Sequence, residues 1–396
     1  MKRILILVVS ALAAVALMFV AWNRNNFFDS EVYYGAVQYW FRDGGMVYDW
    51  LKPLTPYGFT YPPFAGLVMS PMSVLPFPVV VVLASAGTVI TAGVLVHWLA
   101  GPFLQTLKYP LWLSYGVTFC LVLAFEPVRE TFSFGQVNML LLTLVAADML
   151  FGVARDRWWG GIGIGLATAI KLTPGVFILY LLVTRRWKAA GTAIGAATGA
   201  TVLAGALFPD ASREFWTSAL WDTNRVGSLE FLSNQSLRGM VARLPWDEWE
   251  SKIWLVLVLA TLVWWGVRCY KTRDDVVGGL ALTGVIGCLV SPVTWIHHCV
   301  WLIPALVRCV ALGWRGASRL PLFVAIGSYV LMTSHLTWLW ENPPFPPVHI
   351  LGGNIYVLLS LALLVWTPVG IRSSAPAEVP EDVLESQVGA TGAPTR

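Results

Sequence analysis

Apolar runs and polar punctuation alternate along the whole chain. An apolar run over about residues 4–22 follows Met1-Lys2-Arg3 and is long enough to span a bilayer as a helix. No small-x-small cleavage pattern is well placed after it, so it reads as an uncleaved first span with its N-terminus inside. Further apolar runs lie at about 79–100, at 110–125, and from Val137 to the Arg155-Asp156-Arg157 cluster. Others follow at about 189–208, 253–268, 276–291, 299–312, 320–338 and 349–371. Two stretches differ. Residues 64–76 are apolar but short, and Pro71 interrupts them, which predicts an interfacial or re-entrant piece. Residues 160–184 hold two short apolar halves on either side of Lys171-Leu172-Thr173-Pro174. They predict a hairpin of broken helices with that tetrapeptide at its outer tip.

Basic residues test this pattern, because Lys and Arg concentrate on cytoplasmic loops. Arg155/Arg157, Arg185/Arg186/Lys188, Arg268/Lys271/Arg273, Arg315/Arg319 and Arg372 fall on one side if 160–184 crosses twice and 64–76 does not cross. The expected architecture is therefore an all-α polytopic membrane protein of about twelve transmembrane helices, with both ends cytoplasmic. Residues 1–372 form one membrane domain and 373–396 a disordered, Pro-, Ala- and Glu-rich cytoplasmic tail. Two long loops lie outside. The first, 23–63, carries Tyr33, Tyr34, Val37 and Phe41 near helical spacing and predicts an amphipathic helix on the membrane surface. The second, 209–252, carries Arg213, Arg225, Arg238 and Arg243 against the basic-inside trend, balanced by acids that include Asp247.

Composition narrows the class. Of 396 residues, 57% are hydrophobic and 12% charged, where soluble domains carry roughly 25% charged residues. No basic run with interleaved aromatics points to nucleic acid. The five cysteines sit in or beside apolar runs without a Cys-x-x-Cys pair, so neither a disulfide framework nor a metal site is indicated. The chain shows no internal repeat of the kind found in many transporters.

Polar residues at membrane depth need partners or work to do. Asp29 follows the first span directly. Glu126-Pro127-Val128-Arg129-Glu130 and Phe134-Gly135-Gln136-Val137-Asn138 join two spans. There, either an internal ion pair such as Glu126–Arg129 fixes a turn, or Arg129 meets a phosphate and the amides meet sugar hydroxyls. Lys171 either snorkels or binds phosphate. His297 and His298 are adjacent and cannot chelate one metal from one helix face; either is packed or bonded to phosphate or acceptor. His97, His335 and His349 stand alone and read as structural or interfacial, and Asp274-Asp275 as solvated. Asn234-Gln235-Ser236 matches a glycosylation sequon, and its amides with Arg238 can equally line a site. Under the topology above, Asp29, Arg129, Gln136, Asn138, Lys171, Asn234, His297 and His298 all lie at outer ends of spans. That convergence predicts an active site on the outer face.

At these residues the sequence resembles the actinobacterial polyprenyl-phosphate-mannose-dependent α-1,2-mannosyltransferases of the GT-C superfamily, the PimE-like group. The motifs are Asp29-x-x-x-Tyr33, Phe59-Thr60-Tyr61-Pro62-Pro63-Phe64, Glu126-Pro127-x-Arg129, Phe134-Gly135-Gln136-Val137-Asn138, Lys171-Leu172-Thr173-Pro174, Asn234-Gln235-Ser236-x-Arg238-Gly239 and Ser291-Pro292-x-Thr294-Trp295-x-His297-His298. The resemblance implies a GT-C fold in the cell membrane and a polyprenyl-phosphate-mannose donor. The acceptor would be a mannose of a phosphatidylinositol mannoside or lipomannan-type glycolipid. Transfer would form an α-1,2 bond with inversion, which needs one base to deprotonate the acceptor hydroxyl. Asp29 takes that role. Arg129, Lys171, His297 and His298 would bind the donor phosphate, and Tyr33, Tyr61, Gln136, Asn138, Asn234, Gln235 and Arg238 the sugar and acceptor. No cofactor or metal is demanded, because fixed cations can offset the charge developing on the leaving phosphate. Membrane lipids surround a protein expected to be monomeric. The same polar set would serve an arabinofuranosyltransferase using a decaprenyl-phosphate donor. A lipid or sugar transporter would instead spread its polar residues through the bilayer depth.

Overall fold

The computed structural model describes residues 1–222, 227–245, 248–341 and 350–370. Arg225, Asp247, His349, Arg372 and the expected tail 373–396 lie outside them. Among the described residues the chain is helical, with one isolated antiparallel bridge, Leu51 to Gly58, in the first long loop.

Among the described residues five helices are long and apolar enough to cross a membrane: α1 (Lys2–Asn25), Phe77–Leu104, Trp187–Leu207, Glu250–Lys271 and Ile296–Arg315. In the first four of these most apolar side chains face outward, whereas 67% of Ile296–Arg315 is buried inside the protein. Ile4, Leu12, Val15, Phe19, Val82, Val202, Val256 and Val263 are all exposed, as a lipid-facing surface requires. A sixth crossing arises if Leu111–Ala124 and Glu126–Phe134, bent by 65° about Phe125, count as one span. Shorter apolar helices run over Asn138–Val153, Thr173–Val183, Val276–Val290, Leu320–Thr333 and Ile355–Trp366. At 1.5 Å per residue, a 12-residue helix such as Ile355–Trp366 reaches about 18 Å, short of a roughly 30 Å hydrocarbon core. The main core forms where Val276–Val290 is enclosed by its neighbours. Leu280, Leu282, Val285, Ile286 and Leu289 there pack with Met139, Leu142, Phe177, Tyr180, Trp265 and Tyr356.

The two stretches singled out by their length behave differently from ordinary spans. Within 64–76 a short helix, α3 (Pro63–Met69), is followed by a 3-10 turn at Ser70–Ser73. The 160–184 stretch holds two helices, Ile162–Ile170 and Val176–Val183, separated by an extended Lys171 and a 3-10 turn at Thr173–Gly175.

Two consecutive left-handed residues, Asn26 and Phe27, end α1 and turn the chain into α2 (Phe28–Phe41). Phe27 is buried against Trp22 and Phe132, and that packing offsets a backbone conformation that costs about 1 kcal/mol. The buried face of α2, with Val32, Tyr33, Ala36 and Val37, meets a second core of Tyr48, Phe59, Tyr61, Ala65, Met69 and Phe215. The first loop, α2 and α3 thus form a packed cap.

Several polar expectations change on contact with the fold. Glu126 does not pair with Arg129. Its carboxylate takes hydrogen bonds from Trp338 Nε1 (2.9 Å) and the Tyr356 hydroxyl, and it contacts His335. His335 therefore does not stand alone; it also meets Arg24, which pairs with Glu130. Asp275 is buried, not solvated. It caps Val276–Val290 through the Gly278 N–H (2.9 Å) and forms an ion pair with Arg308.

Candidate active site

The site forms where the first turn of α2 meets the end of Glu126–Phe134. The Phe27 N–H donates to the Ser133 carbonyl (2.7 Å), and Ser30 Oγ donates to the Gly135 carbonyl (2.9 Å). Gly135 is left-handed at φ 68°, and a Cβ there would sit 1.8 Å from Ser30 Oγ, so the close approach of α2 requires glycine. Gln136 follows. Its amide nitrogen donates to Asp29 Oδ2 at 2.6 Å, and its carbonyl accepts from the Tyr61 hydroxyl at 2.9 Å. The Tyr33 and Tyr61 hydroxyls lie 2.9 Å apart.

Lys171 projects from the break between Ile162–Ile170 and Thr173–Gly175. Its Nζ lies 3.2 Å from the Tyr61 hydroxyl, 2.9 Å from Asn138 Oδ1 and 2.9 Å from His298 Nε2. Asn138 opens its helix and donates to the His297 carbonyl (3.3 Å), to which Thr131 Oγ1 also donates (3.0 Å). His297 Nε2 is buried with no protein partner among the described residues.

These groups surround a cavity of about 580 Å³. Asp29, Tyr33, Tyr61, Gln136, Lys171, His297 and His298 line it. Asn138 lines a small neighbouring cleft that shares Thr173 and His298 with it. Asp29 is enclosed by protein but keeps part of its surface open to the cavity. Burial pushes its carboxyl up to about 6, against the hydrogen bond from Gln136 and the Lys171 and Lys52 charges, which pull it down. Near neutral pH it is a carboxylate basic enough to accept a proton. Burial raises the Tyr33 and Tyr61 phenols, so both stay protonated as donors.

The remaining expected site residues lie elsewhere. Arg129 does not line the cavity; it is buried and donates to the Thr333 carbonyl at 2.9 Å. Asn234 accepts the Thr294 N–H (2.9 Å) and donates to the carbonyls of Leu229 (2.9 Å) and Pro292 (3.3 Å). Gln235 donates to Leu232 and Gly353 and accepts from the Tyr356 N–H (3.1 Å). Both amides are fully buried braces between loops, and the sequon is closed to modification in this fold. Arg238 pairs with Glu250 at 3.0 Å and stacks on Trp254. Sequence reasoning missed the aromatic walls: Phe28, Tyr57, Phe134, Phe215, Phe231 and Trp295. Phe28, Phe134 and Trp295 stand inside or beside the polar motifs and were findable there. Phe215 and Phe231 carry no local signal. Aromatic faces beside hydrogen-bonding groups suit a sugar, which presents apolar C–H faces and hydroxyl edges.

Residues 59–292 match Glycosyltransferase family 87. The chain is 32% identical, over 92% of its length and 90% of the relative's, to a polyprenol-phosphate-mannose-dependent alpha-(1-2)-phosphatidylinositol mannoside mannosyltransferase of Mycobacterium tuberculosis. It is 33% identical, over 93% and 92%, to the corresponding phosphatidylinositol pentamannoside mannosyltransferase of Mycolicibacterium smegmatis. An alpha-(1->3)-arabinofuranosyltransferase of Mycobacterium tuberculosis is 28% identical over 68% of this chain and 63% of its own. No solved structure matches.

Proposed function

The chain belongs to glycosyltransferase family 87 and is a membrane glycosyltransferase, and from that premise we propose that it moves mannose from polyprenyl-phosphate-mannose to a mannose hydroxyl of a phosphatidylinositol mannoside. The new bond is α-1,2 and forms with inversion. One observation carries the reading. Among the described residues a single carboxylate, Asp29, and a single lysine, Lys171, line one aromatic cavity, joined through Gln136 and Tyr61.

Asp29 accepts the proton of the acceptor hydroxyl as its oxygen attacks the anomeric carbon. The bond from that carbon to the phosphate oxygen breaks on the opposite face, and both electrons leave with the polyprenyl phosphate. Phosphate departs without needing a proton, so one carboxylate suffices. Lys171, with His298 at its side, stabilises the charge gained by the leaving phosphate. The buried, unpartnered His297 Nε2 is available to the same oxygens. In the topology of about twelve crossings, Asp29, Lys171 and the His pair fall at outer ends of spans, and the reaction takes place on the outer face of the cell membrane.

The test is transfer by purified protein in nanodiscs, with labelled polyprenyl-phosphate-mannose and decaprenyl-phosphate-arabinose offered in parallel to a phosphatidylinositol mannoside. Mannose transfer, with an α-1,2 linkage in the product, is expected. Transfer of arabinose alone would overturn the donor assignment in favour of the activity named for the more distant relatives.

A further inference from the structure

We propose that Gln136 is a positioning residue for Asp29, and that Gln136 and Tyr61 form a one-way hydrogen-bond chain from Lys171 that holds the Asp29 carboxylate ionised and aimed into the cavity. The proposal rests on the reading of Asp29 as the base. It departs from the sequence expectation that Tyr61 and Gln136 serve the sugar.

The direction of the chain follows from chemistry. An ionised carboxylate only accepts, so the group 2.6 Å from Asp29 Oδ2 is the Gln136 NH₂. The Gln136 carbonyl must then face the other way, where the Tyr61 hydroxyl lies at 2.9 Å and has one proton to give. With that proton used, the Tyr61 oxygen can only accept. It receives from Lys171 Nζ at 3.2 Å and from the Tyr33 hydroxyl at 2.9 Å. Each donor points toward Asp29, and aligned bonds of this kind polarise one another. Protonation of Asp29 would reverse the amide's task and break the alignment, so the chain favours the charged base. Gln136 is 6% exposed and both ends of its amide are engaged, leaving it little to offer a sugar.

The other groups facing Asp29 are known. Lys52, paired with Glu31 and seated over Phe28, approaches from the first loop. Tyr33 lies on the same helix, and His297 and His298 stand in the cavity wall. Substituting Gln136 or Tyr61 alters the identity of none of these residues.

The experiment uses full-length wild type, Gln136→Met, Tyr61→Phe and Asp29→Asn in nanodiscs. The ionisation of Asp29 is read by infrared titration of the carboxyl band that disappears in Asp29→Asn, and kcat/KM is measured over the same pH range. In Gln136→Met the midpoint and the acid limb should rise by about one to two pH units, with activity partly regained at high pH. Tyr61→Phe keeps the ring and should move both the same way by less. An unmoved midpoint in both variants, with activity lost evenly at all pH values, overturns the proposal and makes the residues structural. The infrared titration needs no substrate. A wild type that fails to transfer mannose would refute the function, while the midpoints still decide the chain.

Discussion

Replacing Asp29 by Asn separates what the carboxylate does from what it costs. With its carboxyl at about 6, Asp29 is about 90% ionised at pH 7 and about 10% at pH 5. In wild type, kcat/KM should therefore fall about tenfold between those values, with a slope approaching one log unit per pH unit below 6. Asn keeps the shape and can still meet Gln136, but it cannot take a proton. Turnover should drop by about two to four orders of magnitude. Stability should move the other way. A carboxyl raised from 3.8 to about 6 binds its proton more tightly in the fold than in the unfolded chain. Below about pH 4 both states are neutral and nothing is lost. As pH rises through 4 to 6 the fold loses stability, and above 6 the full cost stands. Two pH units correspond to about 3 kcal/mol, and partial contact with cavity water reduces this to about 1–2 kcal/mol. Asp29→Asn should thus unfold at a higher temperature than wild type at pH 8, and the gap should close at pH 4.5. The assays are label transfer from polyprenyl-phosphate-mannose and thermal unfolding in the same nanodiscs. A variant within tenfold of wild-type activity, or one with no stability gain at pH 8, refutes the argument.

Three further outcomes follow from the same geometry. Lys171→Ala should raise the KM for the donor and lower kcat by about a hundredfold, since it removes from the cavity the lysine proposed to stabilise the leaving phosphate; an unchanged donor saturation curve would return Lys171 to structure. Asn234→Ala should cost about 1–3 kcal/mol in thermal unfolding, because it strands the buried Thr294 N–H and removes the donations to the Leu229 and Pro292 carbonyls, while the acceptor KM of the folded fraction stays at the wild-type value. Gly135→Ala should lower both activity and melting temperature by pushing α2 away from Gln136. Wild-type activity in that variant would show that the contact with Ser30 is not needed to place Asp29.

Much of the site was legible because a charge in an apolar chain is expensive and therefore has a reason. Asp29, Lys171 and the adjacent His297 and His298 stood out as polar residues in an apolar chain, and they meet in one cavity. The same signal misled at Asn234 and Gln235. A buried amide that braces backbone and a buried amide that binds sugar look alike in sequence; only their partners differ. The partners of Glu126 were unreadable for another reason. His335 and Tyr356 lie 209 and 230 residues away, and no local pattern encodes so distant a pairing. Helix existence was plain from apolar runs. The π turns at Val96–Ala100 and Asp148–Val153 and the 65° bend at Phe125 were not, since they come from packing and not from periodicity.

The Glu126–Phe134 helix divides two polar clusters with opposite characters. On one side Glu126 and Glu130 are tied by Arg24, Asn25, His335, Trp338 and Tyr356, in a network that reaches α1 and the helices near the C-terminal end. A buried carboxylate whose lone pairs are filled is costly to move, so this side fixes the helix. On the other side, past Gly135, the groups are only partly satisfied. Asp29 is bonded through Oδ2 alone among the described residues, and His297 Nε2 has no protein partner. Both residues line the cavity. Saturated polar groups give rigidity and unsaturated ones give chemistry. The helix joins the two, so that a rigid anchor on one face sets where Gln136 holds the Asp29 carboxylate on the other.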